Sequence, residues 1–394
     1  MALILLIIIY ITFISLGLPD SLLGSAWPIM QADLKVPLSN AGLLSMITTG
    51  GTVVSSLLGG KLIRLLGTGK LTFISVAMTA AALLGFSLSP SFLWLMACAI
   101  PLGLGAGAVD TALNNFIALH YKARHMNWLH CFWGIGATAG PLIMSVFISR
   151  DANWRGGYSA ISVIQFSLVL ILAFALPLWK KFESPADDNP EQTDRRNRKG
   201  VLSIPGVKAS LTAFFAYSAV ELGAGLWGTT YLTLYKGLPP DTAARAFALY
   251  YAGITAGRFV SGFVTMAMDN RRLIRLGQWV ILTGILVILL PLPPFFSITG
   301  FVLLGIGCAP LFPSMLHETP ARFGPGASQT IMGIQMAAGY TGSTLMPMAL
   351  GFILSKAGVQ ILPYYLLFFL VLLIGCSEYI NRLMAKSGSG TSAA

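Results

Sequence analysis

The 394-residue sequence is 55% hydrophobic but only 10% charged, with 25 Lys and Arg against 14 Asp and Glu and a net charge of +11. A soluble domain carries about 25% charged residues, so a soluble fold this poor in charge could not cover its own surface. The basic residues sit in short segments between long apolar runs. This is the distribution of membrane topology and argues against nucleic acid as a partner.

A helix that spans a bilayer needs ~20 mostly apolar residues. Runs of that size are predicted at 2–31, 40–66, 70–88, 92–119, 128–149 and 157–179. After a polar gap they resume at 205–235, 242–267, 273–291, 295–316, 326–355 and 361–383. The first run lacks the basic start and small-residue cleavage site of a removed leader, so it reads as a retained helix. Barrel strands do not fit, being only ~10 residues long with alternating polarity. The reading is an all-α membrane protein of twelve transmembrane helices in two six-helix bundles. Residues 1–179 form the first bundle, 180–203 a cytoplasmic linker of mixed charge, 204–386 the second bundle and 387–394 a flexible tail.

The loops set the orientation. With the N-terminus in the cytoplasm, 18 of the 25 Lys and Arg fall on the inner side and 6 on the outer, with Arg258 inside a run. That asymmetry places both termini in the cytoplasm and supports an even number of spans; the expected location is the cell's inner (plasma) membrane, as a multi-pass protein.

The halves also repeat. Leu102-Gly103-Leu104-Gly105 matches Leu304-Gly305-Ile306-Gly307 at a shift of 202, and at the same shift Gly60 falls on Gly262, Lys70 on Arg272 and Gly140 on Gly342. A parallel repeat of six helices implies a pseudo-symmetric pair of bundles with a solute site between them.

Three carboxylates lie well inside apolar runs: Asp20 in the first, Asp110 in the fourth and Glu221 in the seventh. A charge at the bilayer centre costs ~2.5–3.5 kcal/mol on insertion scales, a cost rarely borne for packing alone. These acids are candidates for proton coupling; the competing reading is a carboxylate locked in an interhelical hydrogen bond or ion pair. Arg258 in the eighth run either pairs with Glu221 or snorkels to inner-face carbonyls and holds a gate.

Candidate substrate groups gather around these acids. Asn114 follows Asp110 by one turn on the same face, and a carboxylate beside an amide suits hydroxyl recognition. His130 and Trp133 share a face of the fifth run, where an indole can pack on the C–H face of a sugar. Tyr217 precedes Glu221 by one turn, and Trp227 and Tyr251 lie in the seventh and eighth runs. Gln335 falls opposite Trp133 at the 202 shift. Each alone is commonly packing, Asn114 and His130 included. The four cysteines lie in apolar runs without metal or redox spacing, so no metal and no cofactor are expected, and no nucleophile–base pair marks an enzyme.

Two segments carry family signatures. Gly59-Gly60-Lys61-Leu62-Ile63-Arg64-Leu65-Leu66-Gly67 resembles the major facilitator loop signature Gly-x-Leu-x-Asp-Arg-x-Gly, with Arg64 standing where that family has Asp. The matching second-half loop keeps an acid, Asp269, so Arg64 and Asp269 are gating candidates with Arg258. The sequence resembles the major facilitator superfamily over almost its whole length. Its fucose permease branch, which includes proton-coupled hexose symporters, is the most similar. The residues behind this are Leu104-Gly105-Ala106-Gly107-Ala108-Val109-Asp110-Thr111-Ala112-Leu113-Asn114, Met126-Asn127, Gly134-Ile135-Gly136-Ala137, Ala219-Val220-Glu221-Leu222-Gly223-Ala224-Gly225 and Ala256-Gly257-Arg258-Phe259. In that branch Asp110 falls on a proton-coupling or sugar-binding acid, Glu221 on a cavity-lining acid or amide, and His130 on a Gln. Asp20 falls about one turn before the branch's first-helix acid, where this chain has Gly24.

The resemblance implies a secondary active transporter, functional as a monomer, whose partners are a small polar solute such as a monosaccharide, protons and the lipid bilayer. The other reading is an efflux antiporter for amphipathic compounds, because Gly136 to Pro141 resembles the antiporter fifth-helix motif and 15 methionines suit an adaptable pocket.

Overall fold

The computed structural model describes residues 2–121, 123–179, 198–265 and 268–389; most of the expected linker, 180–197, and the end of the tail lie outside them. Every element among the described residues is helical. Ten helical segments among them are long and apolar enough to cross a membrane. The first is made of α1 (Ala2–Asp20) and α2 (Leu22–Leu34), which part at Ser21. The break follows from Pro19, which has no N–H to give and whose ring crowds the preceding turn. The carbonyl it leaves open, that of Ser15, accepts a hydrogen bond from Gln165 Nε2 at 2.9 Å, and Gln165 Oε1 accepts one from Thr79 at 2.6 Å.

Next comes α3 (Asn40–Ser87), a 48-residue helix that covers the second and third predicted runs. A straight helix of that length would measure ~72 Å, more than twice a bilayer core. It bends at Gly67, whose φ of 73° and ψ of 158° are not helical. A side chain there would be strained, so the last glycine of the loop signature is where the chain turns.

The first half continues with α4 (Phe92–His120), α5 (Ala123–Ser149) and α6 (Trp154–Trp179). A short α7 (Arg198–Val201) precedes α8 (Val207–Leu234), α9 (Pro240–Val264), α10 (Asn270–Leu289), α11 (Pro294–Cys308), α12 (Leu311–His317) and α13 (Thr319–Phe323). The last elements are α14 (Pro325–Ala357), a 3-10 turn at Val359–Ile361 and α15 (Leu362–Ser389). α9 is not among the ten apolar segments; it carries Asp241, Arg245 and Arg258.

Packing positions the site. α1 lies against α5 without intervening side chains: a Cβ on Gly17 would strike the carbonyl of Trp133, and one on Gly136 the carbonyl of Ile14. The largest apolar core joins the two halves at the end that carries the 35–39 turn, with Trp27 and Leu44 from the first half and Trp227 and Leu350 from the second. Gly24 faces the backbone of Gly225 there, and Gly42 that of Met348. The second core, around Leu5, Ile9, Phe13, Leu113 and Trp179, lies towards the other end and draws only on the first half. The halves therefore meet at one end and part towards the other, and the interior polar residues lie between them.

Candidate functional site

Four groups form a chain across the interface. Asp20 ends α1 at the Pro19 break, and its Oδ2 accepts the indole N–H of Trp133 on α5 at 2.7 Å. Over the ring of that indole lies Arg258 of α9, its guanidinium carbon 5.1 Å from the ring centre. Arg258 Nη2 is 3.6 Å from Glu221 Oε1 on α8. That spacing is an ion pair without a hydrogen bond, since charge-assisted N–H···O⁻ bonds run about 2.7–2.9 Å. The sequence reading left open whether Arg258 pairs with Glu221 or snorkels; it pairs.

Local sequence places each member. Gly134, beside Trp133, leaves room for the side chain of Thr255, one helical turn before Arg258. Tyr250 donates its hydroxyl to the Glu221 backbone carbonyl at 2.9 Å and fixes α8 against α9. Asp20 is surrounded by protein yet remains open to solvent, which is the position of a residue deep in a cavity.

Asp110 lies close enough to Asp20 for their charges to interact. Asn114 Nδ2 donates to Asp110 Oδ1 at 2.9 Å and equally to its backbone carbonyl. The predicted carboxylate–amide pair is thus formed, with the amide N–H already spent within it. Among the described residues neither Asp20 nor Asp110 has a basic partner within ion-pair distance. Among the described residues, Arg258 is thus the cation that stands among Asp20, Asp110 and Glu221, and it pairs with Glu221.

The other predicted residues divide. His130 is half-buried, edge-on to Phe13, and close enough to Arg258 to feel its charge. Tyr251 is close to both Asp20 and Glu221, and its hydroxyl donates to the Gly225 carbonyl at 3.5 Å. Tyr217 lies beside Glu221, its buried hydroxyl making no hydrogen bond of good geometry.

Two expectations need correction. Trp227 does not face the cavity: it is fully buried and donates its indole N–H to the Pro347 carbonyl at 2.9 Å, which ties α8 to α14. Gln335 is also fully buried; its Oε1 accepts from Thr319 at 2.9 Å and its Nε2 donates to Ser210 at 2.6 Å, so the amide binds helices together. Its partner Ser210 lies about three turns before Glu221 on α8, so Gln335 stands away from the level of Trp133 as well as off the cavity face.

The gating candidates lie elsewhere. Arg64 is exposed, and among the described residues it makes no ion pair. Asp269 caps α10 by accepting the Arg272 backbone N–H at 2.8 Å. Its Oδ2 also lies 3.9 Å from Arg272 Nε, and the other ion pairs at that end among the described residues are Arg275 with Glu378 at 2.6 Å and Glu318 with both Arg271 at 3.2 Å and the nearly buried Arg322 at 3.3 Å; Arg322 also donates to Asn381 of α15 at 3.3 Å. The sequence reading missed this cluster because Glu318 and Arg322 lie outside the second-half signature loop. Tyr340 of α14, which the sequence sets beside Gln335 in the same run, is half-buried and close enough to Asp110 to feel its charge.

The sequence profile of the Major Facilitator Superfamily matches residues 9–243. The Bacillus subtilis (strain 168) glucose/mannose transporter GlcP is 20% identical over 380 residues, covering 95% of this chain and 94% of its own. Bypass of stop codon protein 6 of Saccharomyces cerevisiae is 24% identical over 393 residues, covering 90% of this chain and 77% of its own. Among solved structures, a point mutant of the nucleoside transporter NupG superposes with a TM-score of 0.77 at 13% identity, over 95% of this chain and 98% of that one.

Proposed function

The chain belongs to the major facilitator superfamily, and we propose that it is a secondary active transporter taking up a monosaccharide or similar polar solute together with protons. The observation that carries this reading is Asp20: a carboxylate deep in the interface between the halves, open to solvent, held by an indole N–H and, among the described residues, without a basic partner. Asp110 stands near it, likewise without a cation among the described residues. Such a charge becomes expensive once its path to solvent closes, and proton binding is the usual relief. The two acids can therefore carry protons through a step in which the solvent path closes.

The solute sits between Trp133, Asp110 with Asn114, and Tyr340, where an indole, a carboxylate and a hydroxyl can engage a polyol. The glucose/mannose relative supports a hexose. Twelve crossings follow from counting the bent α3 twice and adding α9, with both termini cytoplasmic by the Lys and Arg asymmetry. The closed end that carries the 35–39 turn then faces outward and the cavity faces the cytoplasm, one state of an alternating-access cycle. The protein acts as a monomer in the inner (plasma) membrane, with Arg258, Arg64 and Asp269 as gating residues.

The efflux reading draws no separate support from Gly136 and Gly140, because both serve close packing on α1. Counterflow in proteoliposomes, over a panel of neutral hexoses, hexuronates and lipophilic cations, tests the substrate class. Exchange of a hexose is expected; exchange of the cations alone would overturn the proposal.

A further inference from the structure

We propose that Trp133 is a positioning residue that links the proton site at Asp20 to the Glu221–Arg258 pair in the opposite half, so that a proton bound in one half changes the attraction between the two. The proposal rests on the proton-coupled reading above.

The geometry holds Trp133 on three sides. Its backbone carbonyl abuts Gly17, its indole N–H is bonded to Asp20, and its ring face carries Arg258. The first two contacts are with α1 in its own half; the third crosses to α9. An N–H donated to an anion is roughly twice as strong as one donated to a neutral group. Hydrogen bonds in low dielectric also polarise their neighbours, so donation to ionised Asp20 makes the ring a better partner for a cation. Arg258 is correspondingly held off its carboxylate, 3.6 Å from Glu221.

When Asp20 takes a proton, the indole bond weakens and the ring loses its hold on the guanidinium. Arg258 then closes on Glu221 within the second half, and one contact between the halves is gone. Asp110 and Tyr251 are the other titratable groups facing Asp20, and His130, Cys131, Cys308 and Tyr217 those facing Arg258. The predicted response is therefore isolated by variants at the linking residues themselves.

The test needs no solute. Spin labels are placed through Leu57→Cys on α3 and Phe263→Cys on α9, both exposed at 81% and 62%, in a full chain whose four native cysteines are replaced by Ala. Electron–electron resonance then reports the distance between the halves at acidic and at alkaline pH. The expected result is a pH-dependent shift in the parent that is lost in Asp20→Asn, in Trp133→Phe and in the double variant alike. Arg258→Lys, which keeps the charge but not the planar stacking, is expected to lose most of it and serves if Trp133→Phe fails to fold. A full shift in Trp133→Phe or Arg258→Lys, with Asp20→Asn flat, overturns the link and leaves the proton site intact. A full shift in Asp20→Asn means instead that the proton site is misplaced. No shift in the parent also overturns the link.

Discussion

Gln165 donates its side-chain N–H to the carbonyl of Ser15, supplying at 2.9 Å the bond that Pro19 withholds from α1. The break that aims Asp20 at Trp133 is thereby satisfied from α6. In a membrane interior each unpaired backbone group is costly, and proline breaks persist where a neighbouring side chain fills the gap.

Replacing Gln165 with Leu leaves the Ser15 carbonyl buried and unpaired. The expected cost is about 1–3 kcal/mol, seen as a lower thermal unfolding midpoint in detergent, with weaker proton-driven uptake because Asp20 loses its fixed direction. Unchanged stability would show that the break closes without Gln165.

Asp110→Asn keeps an oxygen for the Asn114 amide at the position it now bonds, 2.9 Å away, but removes the ionisable group. Solute counterflow is expected to persist while proton-driven accumulation falls by about tenfold, within the usual 1–3 kcal/mol of coupling between two ligands. Loss of both activities together would point to a structural role.

Trp227→Phe and Gln335→Leu separate packing from binding. Both side chains are fully buried and bonded between helices. Each variant is expected to lower stability, by about 1 kcal/mol for the lost indole bond, while the half-saturating solute concentration stays unchanged. A raised concentration at unchanged stability would restore the solute-binding role.

Glu318→Ala strips the charge partner from Arg322, whose side chain is only 5% exposed. Breaking a buried pair this way costs about 3–5 kcal/mol, so a large fall in unfolding midpoint is expected. Arg271→Ala, which removes a 43% exposed partner of the same carboxylate, should cost about 1 kcal/mol or less. Equal losses in the two would contradict the assigned burial.

The helices were legible because membrane runs are written in composition. Depth was legible too: Asp20, Asp110, Glu221 and Arg258 stood out as charges where lipid tolerates none. Facing was harder. Gln335 and Trp227 have the polarity of cavity residues, and only packing decides which way a helix turns. The Trp133–Asp20 bond joins residues 113 apart in sequence, and the shared Arg258 depends on a crossing between halves that no local pattern encodes. The bend at Gly67 was visible only as the end of a loop signature, because its positive φ is a backbone property. The Glu318 cluster lay just outside the segment the repeat drew attention to.

The most direct measurement is the lumen pH of proteoliposomes holding a trapped indicator while a hexose that exchanges in counterflow is added outside. Hexose entry is predicted to acidify the lumen, and Asp20→Asn combined with Asp110→Asn to abolish that signal while exchange continues. Uptake with no change in lumen pH, or full acidification in the double variant, would contradict proton coupling through these two acids.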